Sequence, residues 1–295
     1  MVLNEDAVSG IFPDAAYLVL SSRLVPGLDG GYTIATLARA RQMAARGADV
    51  QVLTVDPADA AVHAEHRAEF ARRRMLTAGV PMRNLFDEAR APGGGAAEWL
   101  LRAAAGAAAT APPEQRILAD AEGRPFIALP VISGDPDWLL TRAAVSLFDD
   151  SGAVAGELEG FGALYRAWLD RIADESERPV VVICESRQLG ELLAGWSHPR
   201  VRIVHMIHTM HLEPPYSADA PVNALWSRWF ALSDRFDAVV WPTQAQRDAV
   251  IERFGDQARN LVAPNGVEMS ALDRAAFSPS HERESERTES ERTER

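Results

Sequence analysis

Three histidines at three-residue steps, His205, His208 and His211, lie in the stretch HMIHTMHLEPPY. Imidazole titrates near neutrality, so it can ligate a metal, carry a proton or hydrogen-bond a polar ligand. A zinc site needs ligands that converge. Along an extended strand, steps of three throw side chains to opposite faces. No cysteine lies beside these residues and H-E-x-x-H is absent, so the spacing predicts no metal. Two readings stay open: a strand edge where imidazole hydrogen-bonds a polar ligand, or histidines satisfied by backbone groups near the sheet top.

Two further groups carry chemistry. Gly30 and Gly31 stand in VPGLDGGYTIATLARARQMAARG, just ahead of a helical pattern. A helix start offers unpaired N–H groups and partial positive charge, and glycine lets an anion or sugar oxygen reach them. The alternative is a tight loop and nothing more. Gly27, Gly30 and Gly31 do not reproduce G-x-G-x-x-G, G-x-x-x-x-G-K-[ST] is missing, and the chain contains no lysine. In CESRQ, Glu185, Ser186 and Arg187 follow an apolar run. They either face the same crevice or cap the next helix, with Ser186 as its N-cap.

The surrounding pattern must place these groups. AAYLVLSS (15–22) reads as a buried strand, 33–46 as a helix closed by Gly47, and ADVQVLTVDP (48–57) as a second strand. That order is a βαβ unit, right-handed and parallel. Residues 58–90 read as helical and APGGG breaks that pattern. Between about 115 and 160, Glu122-Gly123 and Asp150-Ser151-Gly152 separate short apolar runs, which predicts an inserted antiparallel β-meander. Strand–helix alternation then resumes, with strands at 178–186, 201–208 and 237–243 and a last one in NLVAPNGVE. Trp226 and Trp229 sit on one helical stretch and read as packing residues rather than sugar platforms. From 277 to 295 the composition is almost wholly Ser, Glu, Arg and Thr, which predicts a disordered charged tail.

Bulk properties narrow the classes. The 295 residues carry a formal charge of −12, which disfavours a general nucleic-acid surface. Cys184 stands alone, so no internal disulfide forms, as expected in a cytoplasmic protein. No apolar run is long enough to predict a transmembrane helix, and G-x-S-x-G is absent, which disfavours an α/β-hydrolase.

The ordered set PGLDGGYTIATLARARQMAARGADVQVLT, HTMHLEPPY, DRFDAVVWPTQAQRDAVIERFG and LVAPNGVE resembles the N-terminal half of a GT-B-fold retaining glycosyltransferase. The likeness is to the family 4 type that includes poly(glycerol-phosphate) and serine-rich-protein glycosyltransferases, and spans roughly residues 15–270. It implies an α/β fold, a Rossmann-like parallel sheet flanked by helices over 1–275, interrupted by the meander at 115–160. It implies that Gly30 and Gly31 lie against the donor, that His208 is the catalytic histidine near the transferred sugar and that His211 is the second match; with Glu185 and Arg187 of the CESRQ stretch, His211 is expected to bind substrate. The donor it implies is a nucleotide sugar, of UDP type, serving as substrate, with no cofactor or metal. The acceptor it implies is a glycan, a teichoic-acid-like polymer or a protein. The family's donor-binding C-terminal domain has no counterpart in the segment after Pro264-Asn265-Gly266-Val267. The expectation is therefore a truncated, acceptor-side half, with a non-catalytic acceptor-binding or adaptor subunit as the alternative. Its partner would be a second copy or a separate chain carrying the other domain.

Overall fold

The computed structural model describes residues 11–28, 30–104, 114–131, 138–217, 219–256 and 258–265. The predicted tail at 277–295 and the Gly266-Val267 part of the PNGV segment lie outside the described residues.

The chain runs β1 (Ala16–Ser21), α1 (Gly30–Ala44), β2 (Asp49–Thr54), α2 (Ala60–Arg72), β3 (Met82–Asn84), α3 (Leu85–Glu88) and α4 (Glu98–Ala103). The meander follows as β4 (Gln115–Ala119), β5 (Pro125–Pro130), β6 (Ala144–Phe148) and β7 (Val154–Glu159). Then come α5 (Gly160–Glu175), β8 (Val180–Cys184), α6 (Arg187–Leu193), β9 (Val201–Met206), α7 (Ala224–Phe230), β10 (Ala238–Trp241), α8 (Gln244–Phe254) and β11 (Asn260–Val262).

Seven strands form one parallel sheet in the order β11-β10-β9-β8-β1-β2-β3. Sheets of this kind are covered on both faces, so their strands are apolar throughout. Strand alternation sorts the side chains into two layers. Leu18, Leu20, Val182, Cys184 and Ile203 join one core, with Leu164 and Trp168 of α5, Leu189 of α6 and Trp229 of α7. Tyr17, Val19, Val52, Ile183 and Met206 join the other, with Leu37, Ala40 and Met43 of α1 and Phe70 of α2.

The meander is a four-stranded antiparallel sheet, β4-β5-β6-β7. Its two hairpins close alike. Asp120 Oδ1 accepts from the N–H groups of Glu122 and Arg124, and Asp149 Oδ1 from those of Ser151 and Ala153. An aspartate that hydrogen-bonds its own turn in this way fixes the turn without outside help.

One expectation fails locally. Residues 58–90 are not one helix: α2 ends at Arg72 and the short edge strand β3 pairs with β2 before α3 begins. Asn84 enforces the break. Its Nδ2 donates to Thr54 Oγ1 at 2.9 Å, and its Oδ1 accepts from the Phe86 N–H at 2.8 Å to cap α3.

The sheet reverses its direction of growth between β1 and β8. From β1 the chain first moves to β2 and β3 on one side, and after the meander to β8 through β11 on the other. The carboxyl ends of strands flanking such a switch point leave a crevice in which ligands bind.

Candidate functional site

The crevice is built from the segments that leave β1, β8 and β9. Continuing the alternation of β8, Cys184 turns toward the α5–α6 layer, and Glu185 turns toward α1. The Glu185 N–H still donates to Leu20 O at 2.8 Å, which holds the residue at the sheet edge. Its side chain has no exposed surface. Two side chains meet it. Arg39 Nε of α1 donates to Oε1 at 2.9 Å, and His208 Nε2 lies 2.5 Å from Oε2. Burial pushes the Glu185 carboxyl up, but the His208 hydrogen bond and the Arg39 charge outweigh it and hold the group below the usual carboxylate range.

That contact orients the histidine. A carboxylate only accepts, so His208 Nε2 carries a proton toward Glu185, and in the neutral ring Nδ1 is the acceptor. Tyr32 packs edge-on against the imidazole, with ring centroids 5.0 Å apart. Ser21 Oγ donates to Arg23 O at 3.0 Å, so the Tyr32 hydroxyl, 2.8 Å away, donates to Ser21. Residues of β1, α1, β8 and the loop after β9 thus fix one imidazole.

His208, Glu185, Tyr32, Ser186, Arg187, Thr209 and Trp226 are among the residues lining a cleft of about 340 Å³. Arg187 opens α6 and stacks its guanidinium over the Trp226 ring at 5.5 Å. Ser186 takes the N-cap position of α6 without a side-chain capping bond. Gly30 and Gly31 form the first turn of α1, immediately before Tyr32. Both are exposed, and a Cβ on either would meet nothing within 4 Å. Gly30 has φ +43°, which favours glycine at that place. Their backbone is therefore open at the same sheet edge as His208, although neither glycine lines the cleft.

The other two histidines are buried, and of them His205 also borders the cleft. His205 is fully buried on β9, with its ring 5.1 Å from Trp229 and 5.0 Å from Phe236. Burial pushes its pKa down to about 3, so the ring is neutral at all ordinary pH. His211 is buried against Phe230 and Phe254, outside the residues that line the cleft. Burial and the nearby Arg253 charge lower its pKa. Cys184 is buried with its thiol pushed up to about 12 by desolvation, which makes it a poor nucleophile. Among the described residues, no group of three or more His, Cys, Asp or Glu is arranged to hold a metal ion.

Sequence reasoning missed Arg39 and Tyr32. The available signal was an arginine, Arg39, beside the α1 stripe of Thr33, Thr36, Leu37, Ala40 and Met43, all buried. A cation at such a position needs a partner.

With the geometry in place, comparison shows which proteins the chain is similar to. Residues 143–271 match the family model described as Glycosyltransferase Family 4. The fold is that of S. aureus TarM, solved with Fondaparinux, alpha-GlcNAc-glycerol and UDP, at TM-score 0.58 and 11% identity over 86% of this chain and 62% of TarM. It is also that of the pneumococcal O-GlcNAc transferase GtfA, solved with UDP and GlcNAc, at TM-score 0.54 and 13% identity over 85% of this chain and 60% of GtfA. No curated protein matches the chain significantly. The chain spans about three fifths of the length of these solved structures. The chain has the α/β fold of the N-terminal part of these GT-B structures, and the family 4 likeness lies in its segment 143–271.

Proposed function

We infer that this chain supplies the acceptor side of a retaining transfer from a UDP-sugar to a hydroxyl-bearing acceptor. The observation that carries the reading is the Arg39–Glu185–His208 relay at the switch-point crevice, beside the open glycine turn. TarM and GtfA were each solved with UDP and a GlcNAc-bearing ligand, and that is the support for the donor class.

The reaction breaks the bond between the sugar anomeric carbon and the diphosphate oxygen. A bond forms between that carbon and the acceptor oxygen on the same face, and the acceptor proton passes to the departing diphosphate. His208 holds a hydroxyl of the transferred sugar through Nδ1, and buried Glu185 fixes the imidazole by accepting from Nε2. The backbone amides at Gly30 and Gly31 face the diphosphate-linked sugar. Preorganised donors of this kind stabilise charge that develops on the leaving group. The reaction class and the single buried thiol fit a cytoplasmic setting.

The cleft contributes one guanidinium, Arg187, toward a diphosphate that carries more than one negative charge. That sparse positive charge favours a second reading: a chain that binds acceptor and relies on cationic groups of a separate partner. One experiment separates the two. The full chain is incubated with UDP-GlcNAc or UDP-glucose, and released UDP is measured with and without acceptor. UDP release that falls at least tenfold in His208→Ala supports the transferase. Acceptor binding without UDP release supports the binding subunit.

A further inference from the structure

The 340 Å³ cleft does not end at His208. It shares Arg187, Thr209 and Trp226 with a second cleft of about 380 Å³, which runs outward along the segment between β9 and α7. We propose that this outer cleft is a subsite for a neutral, hydroxyl-rich oligosaccharide, seated on the ring of Tyr216. The proposal rests on the transferase reading only for the use of the site; the binding stands by itself.

The walls are built rather than draped. Leu212 bridges Val222, the Glu213 N–H donates to Pro221 O at 2.8 Å, and the Asn223 N–H donates to His211 O at 3.2 Å. Arg253 Nη1 holds Ala220 O at 2.7 Å, and Gln246 Nε2 holds Thr209 O at 3.0 Å. His211 and Leu212 anchor the segment in the core. This gives His211 a role in placing the wall rather than in touching ligand.

The lining matches a sugar in its two textures. Met210, Leu212, Pro214, Tyr216, Leu225 and Trp226 give an apolar surface. Two large apolar side chains stay open to solvent, Met210 at 47% and Tyr216 at 56%. Tyr216 has φ +65°, uncommon for an aromatic residue, and its N–H is tied to Glu213 O at 2.9 Å. Strain of this kind persists where surrounding structure enforces it, and it tends to mark ligand contacts. A pyranose presents an apolar C–H face and a rim of hydroxyls. The ring of Tyr216 suits the face. Thr209, Asn223, Glu213 and Arg187 suit the rim, with donors and acceptors of both kinds. Asn223 uses Oδ1 to cap α7 at Leu225 N, which leaves its amide NH₂ for a ligand.

Charge decides against the anionic acceptor that the family resemblance also allows. The outer cleft has one cation, Arg187, and one carboxylate, Glu213, so its lining is neutral overall. The chain as a whole carries −12. A phosphate polymer adds a negative charge with each unit, and no cationic track meets it here.

The test is saturation-transfer NMR and calorimetry on the full chain with three probes: tri-N-acetylchitotriose, an oligo(glycerol phosphate) of similar length, and an uncharged Ser/Thr peptide. The trisaccharide is expected to bind most tightly, with an affinity about 10-fold weaker in Tyr216→Ala, as loss of one aromatic contact predicts. Tyr216 is exposed, so the variant folds, which its melting curve verifies. Glu213→Gln is expected to strengthen phosphate-polymer binding while leaving the trisaccharide within about 3-fold. Tighter binding of the phosphate polymer or the peptide overturns the proposal. So does trisaccharide affinity unchanged by Tyr216→Ala, or no trisaccharide binding at all. His208→Ala separates this from the transferase reading. It should abolish UDP release and leave trisaccharide affinity intact. Tyr216-dependent binding without UDP release in the parent chain keeps the subsite and removes the transferase. His208-dependent UDP release without trisaccharide binding does the reverse.

Discussion

His208 Nε2 lies 2.5 Å from Glu185 Oε2, a carboxylate on the adjoining strand edge whose side chain has no contact with solvent. The pair sets the imidazole tautomer and its orientation before any ligand arrives. Replacing Glu185 with glutamine keeps the shape and removes the charge. The relay predicts that Glu185→Gln loses about 10- to 100-fold in turnover with little change in acceptor binding, since a reacting group misplaced by about 1 Å costs that much. The variant also leaves Arg39, 16% exposed, against a neutral amide. A stability loss of about 1–3 kcal/mol should accompany it, read by denaturant melts. Unchanged turnover in a folded Glu185→Gln would remove the relay from the mechanism.

Gly31→Ala separates a ligand role from a loop role. A methyl there meets no atom within 4 Å, and the φ of Gly31 is not in the left-handed range. Alanine is the better helix former by about 1 kcal/mol, so near the start of α1 the variant should be as stable as the parent or more so. If the amides at this turn face the donor, the same methyl blocks their approach. Stability is therefore expected to hold or rise while UDP-sugar affinity, measured by calorimetry, falls severalfold. Affinity equal to the parent's would show that the glycine pair serves only the turn.

The alternation of apolar runs with helical stretches made the parallel sheet legible, because strands buried on both faces are apolar by necessity. The meander was legible through its turns: Glu122-Gly123 and Ser151-Gly152 fall inside the two hairpins. What sequence could not resolve depended on where side chains point. His208 and His211 stand three residues apart in one loop, yet His208 faces the crevice and His211 packs on Phe230. The strand β3 was hidden because three residues, Met82-Arg83-Asn84, carry no alternation and follow a helix rich in alanine and arginine. Arg39 was invisible as a functional group because its partner lies 146 positions away.

A buried histidine away from the cleft makes stability depend on pH. His63 of α2 is 4% exposed and lies between Asp87, 2.8 Å from Nδ1, and Asp56, 3.2 Å from Nε2. Arg67 also pairs with Asp87 at 3.0 Å. Burial pulls the imidazole down, but hydrogen bonds and charges of Asp56 and Asp87 raise its pKa to about 9 from 6.5. The folded value is the higher one. The stabilisation is then complete below pH 6.5 and is lost as pH rises through 9. A difference of this size is worth about 3 kcal/mol. Unfolding free energy should fall by about that amount between pH 6.5 and 9.5, and by much less in His63→Gln. A parent protein with equal stability at both pH values would show that His63 is neutral in the fold.

Gly190 makes room for the buried imidazole of His205. On α6, a Cβ at this position would lie 2.2 Å from His205 Nε2 and 2.4 Å from Cδ2. His205 cannot swing away, since Trp229 and Phe236 hold its ring on two sides. Gly190→Ala should therefore destabilise the protein by about 1–3 kcal/mol through overpacking, despite the better helix propensity of alanine. Truncating the imidazole opens the space. The double variant Gly190→Ala/His205→Ala is expected to be more stable than the sum of the single losses predicts, by at least 1 kcal/mol. Melts of the four proteins give the coupling directly. Additive losses would mean that α6 shifts outward to admit the methyl. In that case Arg187 at its first turn would move as well, and the guanidinium would leave the Trp226 ring that it covers at 5.5 Å.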